Sequence, residues 1–392
     1  MGYLVKNLSN TGYEFDILTG PDDGDIRYQS LVGNEKVIRC SLNKIKTSDS
    51  FLTNFYFTIL RIPIFYANSK QYIQTANKHL NPSDYQLILC STAFSLPVLQ
   101  AARIIAKKWD KPWIADIRDL HEQMSYNKNR SIKNNILRYL NTPFSKHLIH
   151  LRNKNLRLAT KITTVSPFNK DLLQKLNPNT SLIYNGYDPD TFYPGATRKQ
   201  EIFKLVYTGI LIDYCSDLNI FFQSIHQLHS DGKISPDTFS ICFYIPEWCR
   251  TSIRSNKYYD DIAAFISFRD HVNTSAIPKI LHEASILLLF VKSVHSNRSQ
   301  GIIPTKYFEY LAMERPVLLT PGDDAYLDES LIASGEGVPA KNVDAAMDFI
   351  YKKYQEWKQK GFTQQKVNQD YVKQFSRKKQ ALQFQEIFEK LI

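Results

Sequence analysis

The chain has no apolar stretch long enough to cross a membrane. None of its 392 residues lies in a run approaching about 18 consecutive apolar positions, the length that a spanning helix needs. The N-terminus also lacks the charged region followed by an apolar core that marks a secretory signal. The sequence therefore predicts neither a membrane-spanning helix nor a signal peptide.

Cysteine is scarce, and the five cysteines do not have the spacing of a metal site. They are Cys40, Cys90, Cys215, Cys242 and Cys249. Three of them lie in apolar runs, where a thiol behaves as a small hydrophobe, so a reducing cytosol is the expected setting. Zinc-finger, basic-zipper and RNA-recognition signatures are missing as well, and nucleic acid is not an expected partner.

The formal net charge of +11 leaves two kinds of anionic partner open, a membrane face or a small substrate. The densest basic groups are residues 128–133 with Arg138, and residues 146–157, and both are interleaved with Tyr, Leu, Ile or Phe. Such a pattern is typical of a helix that lies on anionic lipid. A solvated helical face explains it equally, and both interpretations remain open at this point.

Short apolar runs alternate with amphipathic stretches along the whole chain, which is typical of parallel sheets covered by helices. The predicted strands are 14–18, 86–90, 113–116, 161–165, 180–184, 204–208, 240–245, 264–268, 286–291 and 316–319, and the predicted helices of the first half are 96–109 and 148–159. A polar segment at 188–198 is a plausible linker. The pattern predicts an α/β protein with two doubly wound domains in tandem.

The first residues do not follow the usual order of such a domain. Residues 3–10 have the pattern of a helix end, capped near Gly12 and followed by a strand. A doubly wound domain usually opens with a strand and a glycine-rich turn. Either the reading frame begins late, or the domain lacks an element that normally lies near the centre of its sheet.

The most informative motif is residues 301–316, GIIPTKYFEYLAMERP, which follows the apolar run 286–291 and opens a helix. Pro304 suits the first helical position, since its missing N–H would have no partner there. The free amides of Gly301, Ile302 and Ile303 would then face an anion.

Two charged side chains of the same motif extend this hypothesis. Lys306 adds a positive charge in the first turn of the helix. Glu309 lies five residues after Pro304, about 7.5 Å along the helix axis, which is about the distance from a diphosphate to its ribose. The motif predicts a nucleoside diphosphate site; an ordinary βα unit with a solvated Lys306 and Glu309 is the alternative.

Five segments in the same order resemble one enzyme family. They are KPWIADIRD at 111–119, LATKITTVS at 158–166, LIYNGYD at 182–188 with Phe192, VYTG at 206–209, and the motif at 301–316. With these, the chain resembles the family 4 glycosyltransferases of GT-B fold, particularly the branch that builds bacterial capsular, O-antigen and exopolysaccharide chains. The resemblance covers nearly the whole chain.

The resemblance implies two Rossmann-like, doubly wound domains facing a cleft, with the N-terminal strand and glycine loop missing. Residues 1–190 would form the acceptor-side domain, residues 191–375 the nucleotide-sugar-binding domain, and residues 376–392 a helix crossing back to the first domain. In that helix Leu382, Phe384, Ile387, Phe388 and Leu391 share one face.

The implied activity is transfer of a sugar from a nucleotide-diphosphate sugar to a glycan or lipid-linked acceptor, with retention of configuration. The enzyme would need no cofactor and no metal, and it would be cytoplasmic, with a peripheral contact at the inner membrane face. The donor-binding candidates are Gly209, Arg298, Gly301, Ile302, Ile303, Lys306 and Glu309. Lys306 would also act in catalysis, by stabilising the leaving diphosphate.

Four further candidates lie just beyond the predicted strand 113–116, where doubly wound sheets place their ligands. Asp119 and His121 are the catalytic candidates, as groups that could orient or deprotonate the acceptor, and Arg118 and Glu122 are acceptor-side candidates. Asp119 could instead cap the following helix or pair with Arg118. A metal motif made of Asp116 and Asp119 is a weaker alternative, because Arg118 between them is a competing cation.

The chain departs from the family pattern at two places. Gly301 stands eight positions before Glu309, where the family often has a second glutamate, and no basic residue follows Gly209 in the sequence ILIDYC. Two other functions therefore stay open. One is a nucleotide-sugar epimerase on the same fold, and the other is a degenerate, non-catalytic assembly subunit.

Overall fold

The computed structural model describes most of the chain, which forms two compact units. The described residues are 2–21, 33, 35–43, 51–93, 95–120, 123, 145–195, 199–211, 216–270, 272–292 and 301–392. The first unit contains the described residues of 1–122 and 126–184 together with Ala381–Ile392. The second contains Asn185–Gln380 and also Gln123.

The first unit contains a four-stranded parallel sheet in the order β3-β4-β5-β6. A separate two-stranded parallel sheet, β1-β2, precedes it in the sequence. The strands are β1 Asp16–Thr19, β2 Lys36–Arg39, β3 Ile88–Thr92, β4 Trp113–Ile117, β5 Lys161–Thr164 and β6 Thr180–Leu182. The helices are α1 Gly2–Leu8, α2 Phe51–His79, α3 Leu96–Trp109, α4 at 145–156 and α5 Pro167–Gln174. All five residues of β4 are buried, as expected for an inner strand covered on both faces.

The second unit contains a six-stranded parallel sheet in the order β12-β11-β10-β7-β8-β9. Its strands are β7 Phe203–Thr208, β8 Phe239–Tyr244, β9 Ile266–Arg269, β10 Ile286–Phe290, β11 Val317–Thr320 and β12 Gly337–Pro339. The helices are α6 Asn219–Ser230, α7 Glu247–Arg254, α8 Tyr259–Ile262, α9 Ile277–His282, α10 Thr305–Leu311, α11 Tyr326–Ser334, α12 Val343–Lys360, α13 Gln369–Lys373 and α14 Arg377–Glu389. Non-consecutive neighbours in the sheet identify a doubly wound topology.

An aromatic cluster forms the core of the second unit. Phe203 at the start of β7 is fully buried, and its ring lies 5.2 Å from that of Phe239 and 5.3 Å from that of Tyr354. Burial of a large aromatic side chain stabilises a fold by roughly 1.5 to 3 kcal/mol. These contacts join β7 and β8 to α12 at the amino end of β7.

The residues of the last helix, α14, are divided between the two units. It begins at Arg377 in the second unit, and from Ala381 onward its residues belong to the first. Phe384 and Phe388 pack in one buried cluster with Leu4 of α1. The predicted apolar face is correct except at Leu382, which is 47% exposed because Ala381 takes the buried position beside it.

The predicted α/β class is confirmed, and each predicted strand overlaps an observed one. The helix end near the N-terminus is confirmed too: α1 is followed by a short 3-10 turn and by Gly12, whose φ of 90° is the left-handed cap that favours glycine. Several elements were not predicted, among them α2, α5, β2, β12 and most helices of the second unit. In the part of the chain that the structure describes, no helix is both long and apolar enough to cross a membrane.

Candidate functional site

The turn after β7 brings backbone and a lysine close together. Gly209 follows β7 at the carboxyl edge of the sheet and has a φ of 104°, which side-chain-bearing residues rarely adopt. A Cβ on Gly209 would lie 3.1 Å from Nζ of Lys306. The backbone angle therefore favours glycine here, and any side chain at this position would also crowd the Lys306 ammonium.

Helix α10 places Lys306 and Glu309, and it begins one residue later than predicted. Pro304 has an extended ψ of 138° and occupies the N-cap, so the prediction that it takes the first helical position is wrong. The helix spans seven residues only. Its dipole is correspondingly short, and we assign the positive charge of this site to the Lys306 side chain.

A buried contact fixes how α10 faces the sheet. The Tyr310 hydroxyl lies 3.3 Å from both the amide nitrogen and the Oγ1 atom of Thr208. Because residues four apart share one helix face, this contact directs Lys306 to the end of β7. The ring of Phe308 packs on that of Phe375, with centroids 5.2 Å apart, and secures another side of the helix.

Tyr207 holds the Lys306 ammonium group in place. Lys306 Nζ donates a hydrogen bond to the Tyr207 hydroxyl at 2.5 Å and lies 3.9 Å from the centre of its ring. The same hydroxyl donates to the carbonyl of Ile210 at 2.9 Å, which secures the turn around Gly209. Sequence reasoning did not select Tyr207, although it lies within the VYTG segment that was recognised.

The Glu309 carboxylate is desolvated and accepts no hydrogen bond from the described residues. Desolvation by burial raises its pKa, and the positive charges of Lys306 and Arg377 act in the opposite direction. Among the described residues, no group donates a hydrogen bond to this carboxylate. Arg377, at the start of α14, was missed by the sequence analysis, because nothing in the run of basic residues 377–379 indicates that it faces Glu309.

The loop before α10 contains the three predicted backbone donors. Gly301, Ile302 and Ile303 are all described, and none of the described residues accepts a hydrogen bond from their amides. The Gly301 carbonyl does have a partner, since Gln123 Nε2 donates to it at 3.1 Å. Gln123 is buried and carried no signal in the sequence. Arg298 lies outside the described residues.

The candidates beyond β4 are arranged differently from the expectation. Arg118 forms an ion pair with Asp116, with Nε 3.1 Å from Oδ2, and its positive charge also acts on Asp119. Asp116 also accepts hydrogen bonds from Ser91 at 2.7 Å and Thr163 at 2.9 Å. These three partners engage both oxygens of the Asp116 carboxylate, which leaves it poorly suited to the metal motif considered above.

Asp119 is the only one of the three candidates Asp119, His121 and Glu122 that lies within the described residues. Its side chain is exposed, yet desolvation by the surrounding protein raises the pKa of its carboxyl, with Arg118 lowering it. His121 and Glu122 lie outside the described residues. The described residues include no group of three or more His, Cys, Asp or Glu side chains that could hold a metal ion.

One comparison with known proteins matches a family over the first part of the chain, and another shows the fold. Residues 1–191 match the model of the family described as Glycosyltransferase Family 4. Sucrose-phosphate synthase from Thermosynechococcus elongatus is 14% identical, with a TM-score of 0.64 over 99% of this chain and 91% of its own. HepE from Anabaena, in complex with UDP and glucose, is 13% identical, with a TM-score of 0.60 over 99% of this chain and 94% of its own.

A third structure has the same architecture. The lipopolysaccharide outer core galactosyltransferase WaaB, in its apo form, is 12% identical, with a TM-score of 0.59 over 100% of this chain and 94% of its own. A search of curated proteins found no sequence match. At these identities the structural likeness shows the fold alone. The family model thus matches the first part of the chain, residues 1–191, and the structural likeness along nearly the whole chain shows the GT-B fold of glycosyltransferases.

Proposed function

We propose that this glycosyltransferase moves a hexose-type sugar from a nucleotide-diphosphate sugar to a glycan or lipid-linked acceptor, with retention of configuration, in surface polysaccharide biosynthesis. The observation that carries the donor assignment is the grouping of Lys306, Tyr207, Gly209 and Glu309 at the carboxyl edge of the second sheet. Open α/β sheets bind ligands at that edge. The shared fold with HepE, whose structure contains UDP and glucose, supports a nucleoside diphosphate.

Lys306 is the group that we assign to the leaving diphosphate. Breaking the bond between the anomeric carbon and a phosphate oxygen leaves negative charge on the diphosphate. A fixed cation beside that oxygen stabilises the charge as it develops, by on the order of 3 kcal/mol in a site that excludes water. Tyr207 holds Lys306 before substrate arrives, so little of this stabilisation is lost to reorganisation. On this proposal the transfer needs no resident metal ion.

Glu309 is the group that we assign to the ribose. Its carboxylate lies one helical turn beyond Lys306, and residues three apart face the same side of a helix. Two adjacent hydroxyls can both donate to one carboxylate, which satisfies its oxygens without a further protein donor. The amides of Gly301, Ile302 and Ile303, which donate to no described residue, precede the helix and would bind phosphate oxygens. Asp119 and His121 remain candidates for the acceptor hydroxyl.

The test is release of nucleoside diphosphate from a panel of nucleotide sugars, measured with and without a lipid-linked glycan acceptor. A transferase releases nucleotide slowly until acceptor is added, whereas an epimerase interconverts nucleotide sugars without acceptor. A non-catalytic subunit turns over no donor under either condition. Acceptor-dependent release that the Lys306→Ala variant loses would support the proposal, and acceptor-independent epimerisation would refute it.

A further inference from the structure

A charged cavity lies at the edge of the second sheet opposite to the one that carries Gly209. Arg315 precedes β11 by two residues, at the amino ends of the strands, whereas Gly209 follows the carboxyl end of β7. Arg315 lines a cavity of about 430 Å³ together with Glu314, Gln364 and Lys366. We call this cavity the Arg315 pocket. Its volume lies in the range of about 300 to 1,000 Å³ that small-molecule sites have.

Arg315 is a largely buried cation for which the described residues supply no partner. The residue is only 5% exposed, and no carboxylate or carbonyl oxygen of the described residues pairs with its guanidinium group. Arginines with so little exposure are usually paired, because a charge that has lost most of its water is costly unless it has a counter-ion. An anion that entered the pocket would supply the missing partner.

Hydrogen bonds fix the other residues that line the Arg315 pocket, and the lining has a net positive charge. Thr363 Oγ1 donates to the Ser285 carbonyl at 2.7 Å, and Gln365 Nε2 donates to the Gly335 carbonyl at 2.6 Å, which fixes the segment that carries Lys366. The Glu314 carboxylate accepts a hydrogen bond from Gln369. Arg315 and Lys366 together outnumber the one carboxylate in the lining, so the cavity carries a net positive charge.

We propose that the Arg315 pocket binds a small phosphate-bearing anion, at a site separate from the nucleotide-sugar site. A guanidinium group presents a planar fork of N–H donors that matches two oxygens of one phosphate. Lys366 and the Gln364 amide add donors for its remaining oxygens. The desolvation that lowers the pKa of Arg315 agrees with a guanidinium that lacks a counter-ion in the free protein.

The experiment is calorimetric titration of the full chain with inorganic phosphate, at constant ionic strength maintained with chloride. All measurements use a Lys306→Ala background, which weakens phosphate binding at the proposed nucleotide site. Arg315→Met is added to this background to remove the guanidinium while keeping an apolar stem. Arg315→Gln is the second variant, in case the first fails to fold. Lys352→Gln is the matched control, since Lys352 is an exposed cation on α12 of the same unit.

We expect one phosphate per chain in the Lys306→Ala protein, and affinity at least tenfold lower, or about 1.4 kcal/mol, when Arg315 is also replaced. Lys352→Gln should leave the affinity unchanged. Glycerol phosphate titrated in parallel distinguishes a phosphate ester from the free ion, since a preferred ester should bind more tightly than inorganic phosphate. Equal affinity with and without Arg315, or no binding in the Lys306→Ala protein, would overturn the proposal. Neither result would bear on nucleotide-sugar binding.

Discussion

Replacement of Glu309 by alanine tests the central assignment of the donor site. The Glu309 carboxylate accepts no hydrogen bond from the described residues, so a bound ribose would not have to displace a protein partner. Loss of two hydroxyl-to-carboxylate hydrogen bonds should cost about 1 to 3 kcal/mol. The dissociation constant of a nucleoside diphosphate should therefore rise about five- to 150-fold.

The same substitution should have the opposite effect on a ligand that lacks ribose. Removing the Glu309 charge leaves Lys306 and Arg377 without the carboxylate that both face. Pyrophosphate should then bind as well as before, or more tightly, because the local potential becomes more positive. The comparison of the two ligands thus separates loss of a ribose contact from general damage to the site.

The assay is calorimetry with UDP, GDP and ADP, followed by pyrophosphate, on the wild type, Glu309→Ala and a control. Glu329→Ala is a suitable control, because Glu329 is an exposed carboxylate on α11 in the same unit. The reasoning is refuted if Glu309→Ala binds the preferred nucleoside diphosphate within twofold of the wild type. It is also refuted if pyrophosphate and nucleotide affinities fall by the same factor.

Two further predictions concern Lys306 and a buried carboxyl. Lys306→Ala should lower the turnover number more than it weakens nucleotide binding, because the proposed contact strengthens as the leaving group gains charge. Steady-state kinetics and binding measurements test this. Equal losses in turnover and in binding would instead indicate a ground-state contact. Glu336 is fully buried, and no described residue donates a hydrogen bond to either of its carboxylate oxygens. Burial, with Glu314 nearby, raises its pKa well above the usual value. Because its pKa is higher in the folded state than in the unfolded state, protonated Glu336 favours the folded state at low pH. This contribution to the free energy of unfolding is lost as the pH rises from the unfolded-state pKa through the folded-state pKa. Denaturant titrations should therefore show a shallower loss of unfolding free energy with rising pH in Glu336→Gln, and an unchanged slope would contradict this.

The sequence predicted secondary structure well wherever a buried strand left a continuous apolar run. Strand β10 is one example, since all of Ile286–Phe290 is buried and the run reads directly from the chain. It failed where an element has no such pattern. Strand β2, Lys36–Arg39, is mostly exposed and mixes basic with apolar residues, and β12 has only three residues, one of them proline. Such strands form because a neighbouring strand pairs with them, and this pairing cannot be predicted from the local sequence.

The candidate donor residues were found by their place in a motif, but their partners were not. Lys306, Glu309 and Gly209 could be selected from the chain because spacing along a helix and a glycine after a strand carry geometric information. Tyr207 and Arg377 could not, because their contacts with Lys306 and Glu309 span about a hundred and about seventy residues of chain, and depend on how α10 docks. The same holds for Asp116, whose partners Arg118, Ser91 and Thr163 come from three successive strand ends.

By itself, the amino-acid sequence determined the layered α/β architecture, the order of most elements and the motif that resembles a nucleotide-sugar site. These follow from periodic burial and from short-range backbone geometry, both of which are properties of consecutive residues. Tertiary structure alone decided that Pro304 occupies the N-cap of α10, that Arg118 forms an ion pair with Asp116, and that Arg315 is largely buried with no partner among the described residues. The physical reason is that burial and electrostatic pairing depend on what else fills the space around a side chain, and distant segments of the chain supply that surrounding.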